Sequence, residues 1–366
     1  MKRFHFAKYV ALSFSLLFWS QLSIAATLAY ITNATSNSIS VIDVGTNTVV
    51  ATITVGVGNY PYGVAATPDG SYVYVTNRDD SNLSVIDTVS VISTASNTVV
   101  ATIPVGTSPN GIAVTPDGSR VYESNGDDNT VSVISTASNT VVATIPVGTT
   151  PYGVALTPNG SKVYVANRAS DNISVISTAS NTVIATITAG HEPNGVVVTP
   201  DGSTLYVVNR NSGGSSISNV SVISTASNAV VATIPVGHLA FAVTVSPDGS
   251  TVYVTNRNDN TVSVISTASN TVIATISVLA DPVGISISPD GSEVYVADKG
   301  AGKVSVISSS SNMVLSNVSV GAAPIAFGSF ISPPPALPAV PTLSEWAQLM
   351  LALMVVGVAW HFHNNR

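Results

Sequence analysis

Residues 153–187 read GVALTPNGSKVYVANRASDNISVISTASNTVIATI. Four short runs rich in β-branched residues stand out: Gly153-Val154-Ala155-Leu156-Thr157, Lys162-Val163-Tyr164-Val165-Ala166, Ile173-Ser174-Val175-Ile176 and Val183-Ile184-Ala185-Thr186-Ile187, lettered a to d. Turn residues separate them, as they punctuate antiparallel strands. Between a and b lies Pro158-Asn159-Gly160, which is Pro-Asp-Gly in five other copies. Proline presets φ for a type I turn and glycine accepts the positive φ that closes the hairpin. Between c and d lies Ser-Thr-Ala-Ser-Asn, ending on a residue whose side chain can cap its own turn. No run carries an apolar stripe of period 3.6, so crossover helices are not expected.

The same unit recurs along the chain. Its Tyr-Val-Thr-Asn-like segment begins at Tyr30, Tyr74, Tyr122, Tyr164, Tyr206, Tyr253 and Tyr295, at spacings of 44, 48, 42, 42, 47 and 42 residues. The longer intervals hold insertions, a near-duplication over Ser84–Ser93 and a Gly/Ser-rich loop over Ser212–Ser218. Four-stranded antiparallel units of about 40 residues, repeated radially, are the blades of a β-propeller. The phase of the ends separates a ring from a solenoid. The first copy starts at strand b, Leu28 to Thr32, whereas an extra run follows the seventh strand d. That run, Phe327-Gly328-Ser329-Phe330-Ile331-Ser332-Pro333, matches Val283-Gly284-Ile285-Ser286-Ile287-Ser288-Pro289 position for position. The predicted fold is therefore all-β: a seven-bladed β-propeller of four-stranded antiparallel blades over residues 28–333, closed by the C-terminal strand joining the N-terminal blade. Closure removes most exposed strand edges. Apolar runs such as Val73-Tyr74-Val75 fit sheets covered on both faces, which places the seven tyrosines between blades with their hydroxyls hydrogen-bonded.

Composition narrows the function classes. Of 366 residues only 8% are charged and 45% are hydrophobic, which suits a packed repeat and not a disordered chain. There is no cysteine, so stability must come from packing alone. Setting aside Glu345 among the acids and Lys2, Arg3, Lys8 and Arg366 among the bases leaves 18 acidic and 8 basic residues between 28 and 333. That balance opposes nucleic-acid binding.

Both ends carry targeting features. Residues 1–25 place Lys2, Arg3 and Lys8 before an apolar run from Val10 to Trp19 and the small-residue site Ser23-Ile24-Ala25, the order of a signal peptide cut between Ala25 and Ala26. Residues 334–341 form a stiff Pro-rich linker. In the last segment, 340–366, Trp346 and Trp360 bracket an apolar stretch as interfacial aromatics do. As a helix that stretch would rise about 21 Å against a hydrocarbon core of about 30 Å, so it is marginal as a permanent anchor.

Two resemblances add to this reading. Val340-Pro341-Thr342-Leu343-Ser344-Glu345-Trp346-Ala347 resembles the bacterial C-terminal sorting signal that begins Ile-Pro-Thr-Leu and includes a tryptophan, with Val340 in place of isoleucine and Ala347 in place of glycine. The resemblance implies that an exosortase-like enzyme recognises Pro341, Thr342, Leu343 and Trp346, removes the tail and passes the protein from the inner membrane to the cell envelope or surface of a Gram-negative bacterium. The repeats over residues 28–333 resemble the Tyr-Val-Thr-Asn propeller family of surface-layer and related envelope proteins, which implies the fold and little about chemistry.

In an up-and-down blade the a-b and c-d turns share one face, and the b-c and d-a loops share the other. The first set is nearly invariant between copies; the second differs at every blade. The inner mouth on the variable face carries Tyr62, Asn110, Tyr152, Asn194, Phe241, Val283 and Phe327, with Arg78, Arg168, Arg210 and Arg257 in the b-c loops and Lys299 in the seventh copy. Tyr62, Asn110, Tyr152, Asn194 and Phe241 with the four arginines are the candidate ligand-binding residues. As loop tips, Tyr152 and Arg168 are expected to contribute little packing.

Catalytic and metal-binding patterns are sparse. His191 and His238 occupy equivalent d-a positions, with Glu192 nearby, but a third zinc ligand is lacking; no metal or cofactor is predicted. Asp79-Asp80 and Asp127-Asp128 lack calcium-loop spacing and read as turn residues, as do the Pro-Asp-Gly carboxylates. The sequence therefore predicts a non-enzymatic binding or structural module whose partner is an envelope protein or polysaccharide. The alternative is a lactonase-like enzyme with its site at the mouth ringed by Tyr62, Tyr152 and Arg168.

Overall fold

Each repeat supplies β-branched residues on both faces of its middle strands, so strands b and c can be covered only by neighbouring sheets. The burial is of that kind: Lys162–Asn167 and Asn172–Ser177 are buried at all but their end residues, whereas Thr182–Thr188 is mostly exposed. The structure, a computed structural model, describes residues 26–54, 59–78, 87–212 and 217–334. Among them are seven four-stranded antiparallel sheets. Blade 1 contains Leu28–Asn33, Ser38–Asp43 and Thr48–Thr54 together with Ile331–Ser332; blades 2 to 7 run from Pro61 to Pro104, Pro109 to Pro146, Pro151 to Thr188, Pro193 to His238, Ala240 to Ser277 and Pro282 to Ser319. Among the described residues no helix is long and apolar enough to cross a membrane. The signal peptide, the sorting motif Pro341, Thr342, Leu343 and Trp346, and Asp79-Asp80 lie outside the described residues.

The recurring tetrapeptide divides the bonding between neighbours. Its tyrosine hydroxyl reaches the c-d turn of the next blade in most copies: Tyr30 donates to Asn97 Oδ1 at 3.0 Å, Tyr122 to Asn181 at 3.1 Å, and Tyr295, across the ring closure, to Asn47 at 2.6 Å. The buried Tyr164 hydroxyl has no partner among the described residues, against the expectation that all seven are bonded. Those turn asparagines stand at positive φ, 51–55°. Asn97 and Asn181 Oδ1 thus accept the neighbouring blade's tyrosine, where the sequence led us to expect a cap on their own turn. The threonine or serine reaches the next blade's innermost strand, Thr76 Oγ1 to the Asn110 carbonyl at 3.1 Å and Ser124 Oγ to that of Tyr152 at 2.6 Å. The asparagine clamps its own blade, Asn167 Nδ2 donating to Ser174 Oγ at 2.9 Å. Glycine recurs in strand a because innermost strands pack backbone against backbone. A Cβ on Gly63 would stand 2.1 Å from the Asn110 carbonyl oxygen, and one on Gly111 2.2 Å from that of Tyr152.

Ring closure occurs where the sequence places it, but in a different register. Ile331 pairs with Ala29 and Ser332 with Leu28, and the Tyr30 amide donates to the Phe330 carbonyl at 2.8 Å. At the other end Pro324 bridges Asn33, and the Ala326 amide donates to Thr32 Oγ1 at 2.7 Å, the bond that Gly63 makes to Thr76 and Gly111 to Ser124 in their blades. Ala326 is thus the equivalent of Gly63, and Ile325, not Phe327, is the equivalent of Tyr62. The expected position-for-position match of Phe327 to Val283 holds only near Ile331. Between the two ends the closing segment carries two extra residues, absorbed at Gly328, whose φ of +122° favours glycine. The bulge also reaches blade 2, with the amides of Val64 and Ala66 donating to the carbonyls of Phe327 and Ser329 at 3.0 and 3.3 Å.

Candidate functional site

The bulge delivers Phe327 to the propeller axis. Its ring lies 6.1 Å from that of Tyr62, 5.3 Å from Tyr152 and 5.6 Å from Phe241, centroid to centroid. Tyr152 also meets Tyr62 and Phe241 edge to face, and the Tyr62 and Tyr152 hydroxyls bond each other. Edge-to-face packing suits ring quadrupoles in a crowded apolar centre. The result is a plug and not an open mouth. Tyr62, Tyr152 and Phe241 are 6%, 5% and 3% exposed, and Asn110 and Asn194 2% and 0%. These five candidate binding residues therefore support the face from beneath, a correction to the expectation that they ring an accessible channel. The physical cause is the backbone-to-backbone approach of the innermost strands, which leaves an axis too narrow for anything but their own side chains. Asn110 and Asn194 tie successive blades, donating to the carbonyls of Pro151 at 3.2 Å and Phe241 at 3.0 Å. Below the plug lies a cavity of about 30 Å³, room for roughly one water.

Above the plug stand the arginines. Each follows the buried asparagine that ends strand b, and its amide donates to the carbonyl of the d-a residue preceding strand a. Arg78 bonds Tyr60 in this way, Arg168 Thr150, Arg210 Glu192, Arg257 Leu239, and Lys299 Asp281, at 2.9–3.3 Å. Ala34 and Gly126 make the same bond in blades 1 and 3. Five of the eight basic residues between 28 and 333 thus share one structural position, a collar around the axis. Three guanidiniums lie over plug rings: Arg78 over Tyr62 at 5.7 Å, Arg168 over Tyr152 at 5.8 Å and Arg257 over Phe241 at 5.0 Å. Such stacking holds a guanidinium flat and leaves its N–H edge for acceptors. Arg257 is neutralised by Asp281 in a two-pronged pair at 2.6 and 3.0 Å, and Arg78 donates to Asn110 Oδ1 at 3.1 Å. Arg168 and Arg210 form no ion pair among the described residues, and Arg210 Nε is buried without an acceptor.

Other carboxylates serve the loops. Asp128 accepts from the Thr107 amide at 2.8 Å, Asp127 from Ser108 Oγ at 2.6 Å, and Asp259 from the His238 amide at 2.7 Å. The two weak metal candidates face separate partners, His191 Nδ1 with Asp171 at 3.1 Å and His238 Nδ1 with Asp259 at 2.9 Å. The Asp171 bond and charge push the His191 pKa up. Among the described residues no group of three or more His, Cys, Asp or Glu is arranged to hold a metal ion. Glu192 is pushed up by burial, but its bonds from Ser212 and the charges of Arg168 and His191 outweigh that and hold it below the usual range. On the opposite face the Pro-Asp-Gly carboxylates close their own turns. Asp117 accepts from Thr115 and Ser119, which lowers its pKa to about 2. A cleft of about 490 Å³ there, between Pro116 and Pro158, is flanked by Arg120, whose guanidinium is already bound to the Thr178 carbonyl at 3.1 Å.

Sequence reasoning identified the arginines and Lys299 in the b-c loops but missed the amide bond that seats all five, each directly after the Asn or Asp that ends the repeat motif. It also missed Phe327 as the keystone of the plug. The signal present was the two-residue excess between Pro324 and Ile331 relative to Pro282 and Ile287.

The family model described as lactonase, 7-bladed β-propeller, matches residues 88–183, 141–240 and 214–321. No curated protein matches the chain. Among solved structures, the chain is similar to hydrazine synthase from Kuenenia stuttgartiensis, at 24% identity and a TM-score of 0.69 over 78% of this chain and 92% of that one. It is likewise similar to a functionally unknown protein from Desulfotomaculum acetoxidans, at 20% identity and a TM-score of 0.69 over 83% of this chain and 100% of that one. At these identities the two structures speak for the fold alone.

Proposed function

Matched by that model across residues 88–321, the chain belongs to the lactonase family of seven-bladed β-propellers, and within it we propose an exported envelope protein that works as a non-enzymatic binding module. Its working surface is the b-c and d-a loop face, and its partner an envelope polysaccharide or protein. The carrying observation is the basic collar seated on a closed aromatic floor, which among the described residues offers a recognition surface and no open channel at the axis. The signal-peptide-like start and the C-terminal sorting segment support export, with an exosortase-like enzyme as processing partner and the membrane as a transient contact.

The family name favours a second reading, a propeller enzyme opening lactones at the same mouth. Lactone hydrolysis needs a base to activate water beside a donor for the developing oxyanion. Arginines could serve as donors. Among the described residues, the carboxylates beside the collar suit the base role poorly, because Asp281 is committed to Arg257 and Glu192 is held below the usual carboxylate range. A pull-down of the secreted protein against envelope polysaccharides and proteins, run beside a pH-stat assay on simple lactones, separates the readings. Specific capture that Arg168→Ala weakens, without acid release, is the expected result; lactone opening above the buffer rate that Arg168→Ala abolishes would replace binding by catalysis.

A further inference from the structure

We infer that the collar receives a carboxylate borne on a sugar ring, as in a uronic acid, in preference to a neutral glycan or a densely charged polyanion such as polyphosphate; this rests on the binding-module reading above. Positive charge is scarce in this propeller, yet five of its eight basic residues converge on one ring of positions. A guanidinium presents N–H groups in a planar fork that matches a carboxylate two-pronged. One collar arginine, Arg257, already holds such a carboxylate, Asp281, in that geometry. Arg168 and Arg210 lie on the neighbouring blades 4 and 5 with no ion pair among the described residues, and the buried Arg210 Nε has no acceptor. Arg168 and Arg210 are half-buried residues whose guanidiniums donate to no acceptor among the described residues, and an incoming carboxylate supplies the missing partner.

The remaining surroundings select what carries the carboxylate. Tyr60 is half-buried at the mouth beside Arg78, its ring stacked on Tyr62 at 6.4 Å, and offers an aromatic edge to the apolar face of a sugar. The deeper rings are buried and closed to stacking by nucleic-acid bases. One to three residues beyond the collar positions come Asp127, Asp128, Asp171 and Asp259, so negative charge surrounds the basic centre. A densely charged polymer crossing the face would meet those carboxylates, whereas one sugar carboxylate set at the centre would not.

The test is calorimetric titration of the purified full chain with tetragalacturonate, maltotetraose and inorganic polyphosphate, at two salt concentrations. Tetragalacturonate is expected to bind, more weakly at higher salt, with affinity reduced about tenfold by Arg168→Ala and again by Arg210→Ala. Lys162→Ala, a cation bonded to the Thr225 carbonyl near the opposite face, is expected to bind like wild type. Thermal melts confirm that each variant is folded. The inference is overturned if maltotetraose binds as tightly as tetragalacturonate, if polyphosphate binds more tightly, if the double arginine variant binds like wild type, or if tetragalacturonate does not bind. Should the pull-down against envelope components also recover nothing, the binding-module reading falls with it; a partner recovered there would leave that reading standing.

Discussion

The polar letters of the repeated tetrapeptide make the bonds, and two blades place a carboxylic acid within it. Glu123 stands where other blades have Val75, Val165 or Val254, fully buried and with neither carboxyl oxygen hydrogen-bonded. Burial pushes its pKa well above the usual range, so it is held as the neutral acid. Glu123→Val is expected to raise stability by about 1–3 kcal/mol at neutral pH, measured by urea unfolding, because it removes unsatisfied polar atoms from a β-branched site. Asp298 stands where six blades have asparagine, and burial raises its pKa to about 7 against bonds from Ser305 that lower it. With the folded value above the unfolded one, its contribution is fully present below about pH 4 and is lost as pH rises to about 7. Asp298→Asn should therefore leave stability unchanged near pH 4 and add up to about 4 kcal/mol at pH 8, read from unfolding curves at both values. At the mouth, Arg168→Ala is expected to cost under about 1 kcal/mol and Tyr152→Ala about 3–5 kcal/mol in the same measurement. The difference follows from burial of the tyrosine in the plug, and it corrects the expectation that both are loop tips of little weight.

At the scale of elements, strands a to d were legible in the sequence to within one or two residues. Lys162–Asn167 and Thr182–Thr188 enclose the runs chosen from β-branched content and turn residues. Those signals are local, since proline, glycine and asparagine act on their own backbone. The closing segment was legible only as to its place. Its register depends on two extra residues whose location between Pro324 and Ile331 is decided by what they meet, the inner strand of blade 2 and the three other plug rings. Phe327→Ala is expected to cost about 3–5 kcal/mol, because it empties the centre of the plug and loosens the segment that joins blades 1 and 2. Scanning calorimetry of the full chain would show this as a lowered transition, and an unchanged transition would mean that the plug contributes no stability.

For the molecule as a whole, closure converts seven marginal sheets into one ring in which each blade is covered on both sides, blade 7 by blade 1 through Tyr295 and Asn47. Removing residues 342–366 should leave that ring folded, with an unfolding transition within about 1 kcal/mol of the full chain, while abolishing sorting to the envelope; fractionation and melting of the truncated protein check both halves.

Period, strand order, the inward-facing tyrosines and the site of closure were determined by the sequence alone, because each is written in spacings of about 42 residues and in turn residues that act locally. Tertiary structure alone decided that the aromatic side chains at the mouth seal the axis and that three guanidiniums lie over their rings. Both depend on the radius at which seven inner strands meet, and that radius is set by backbone contact across blades, at positions such as Gly63 and Asn110, which no single repeat encodes.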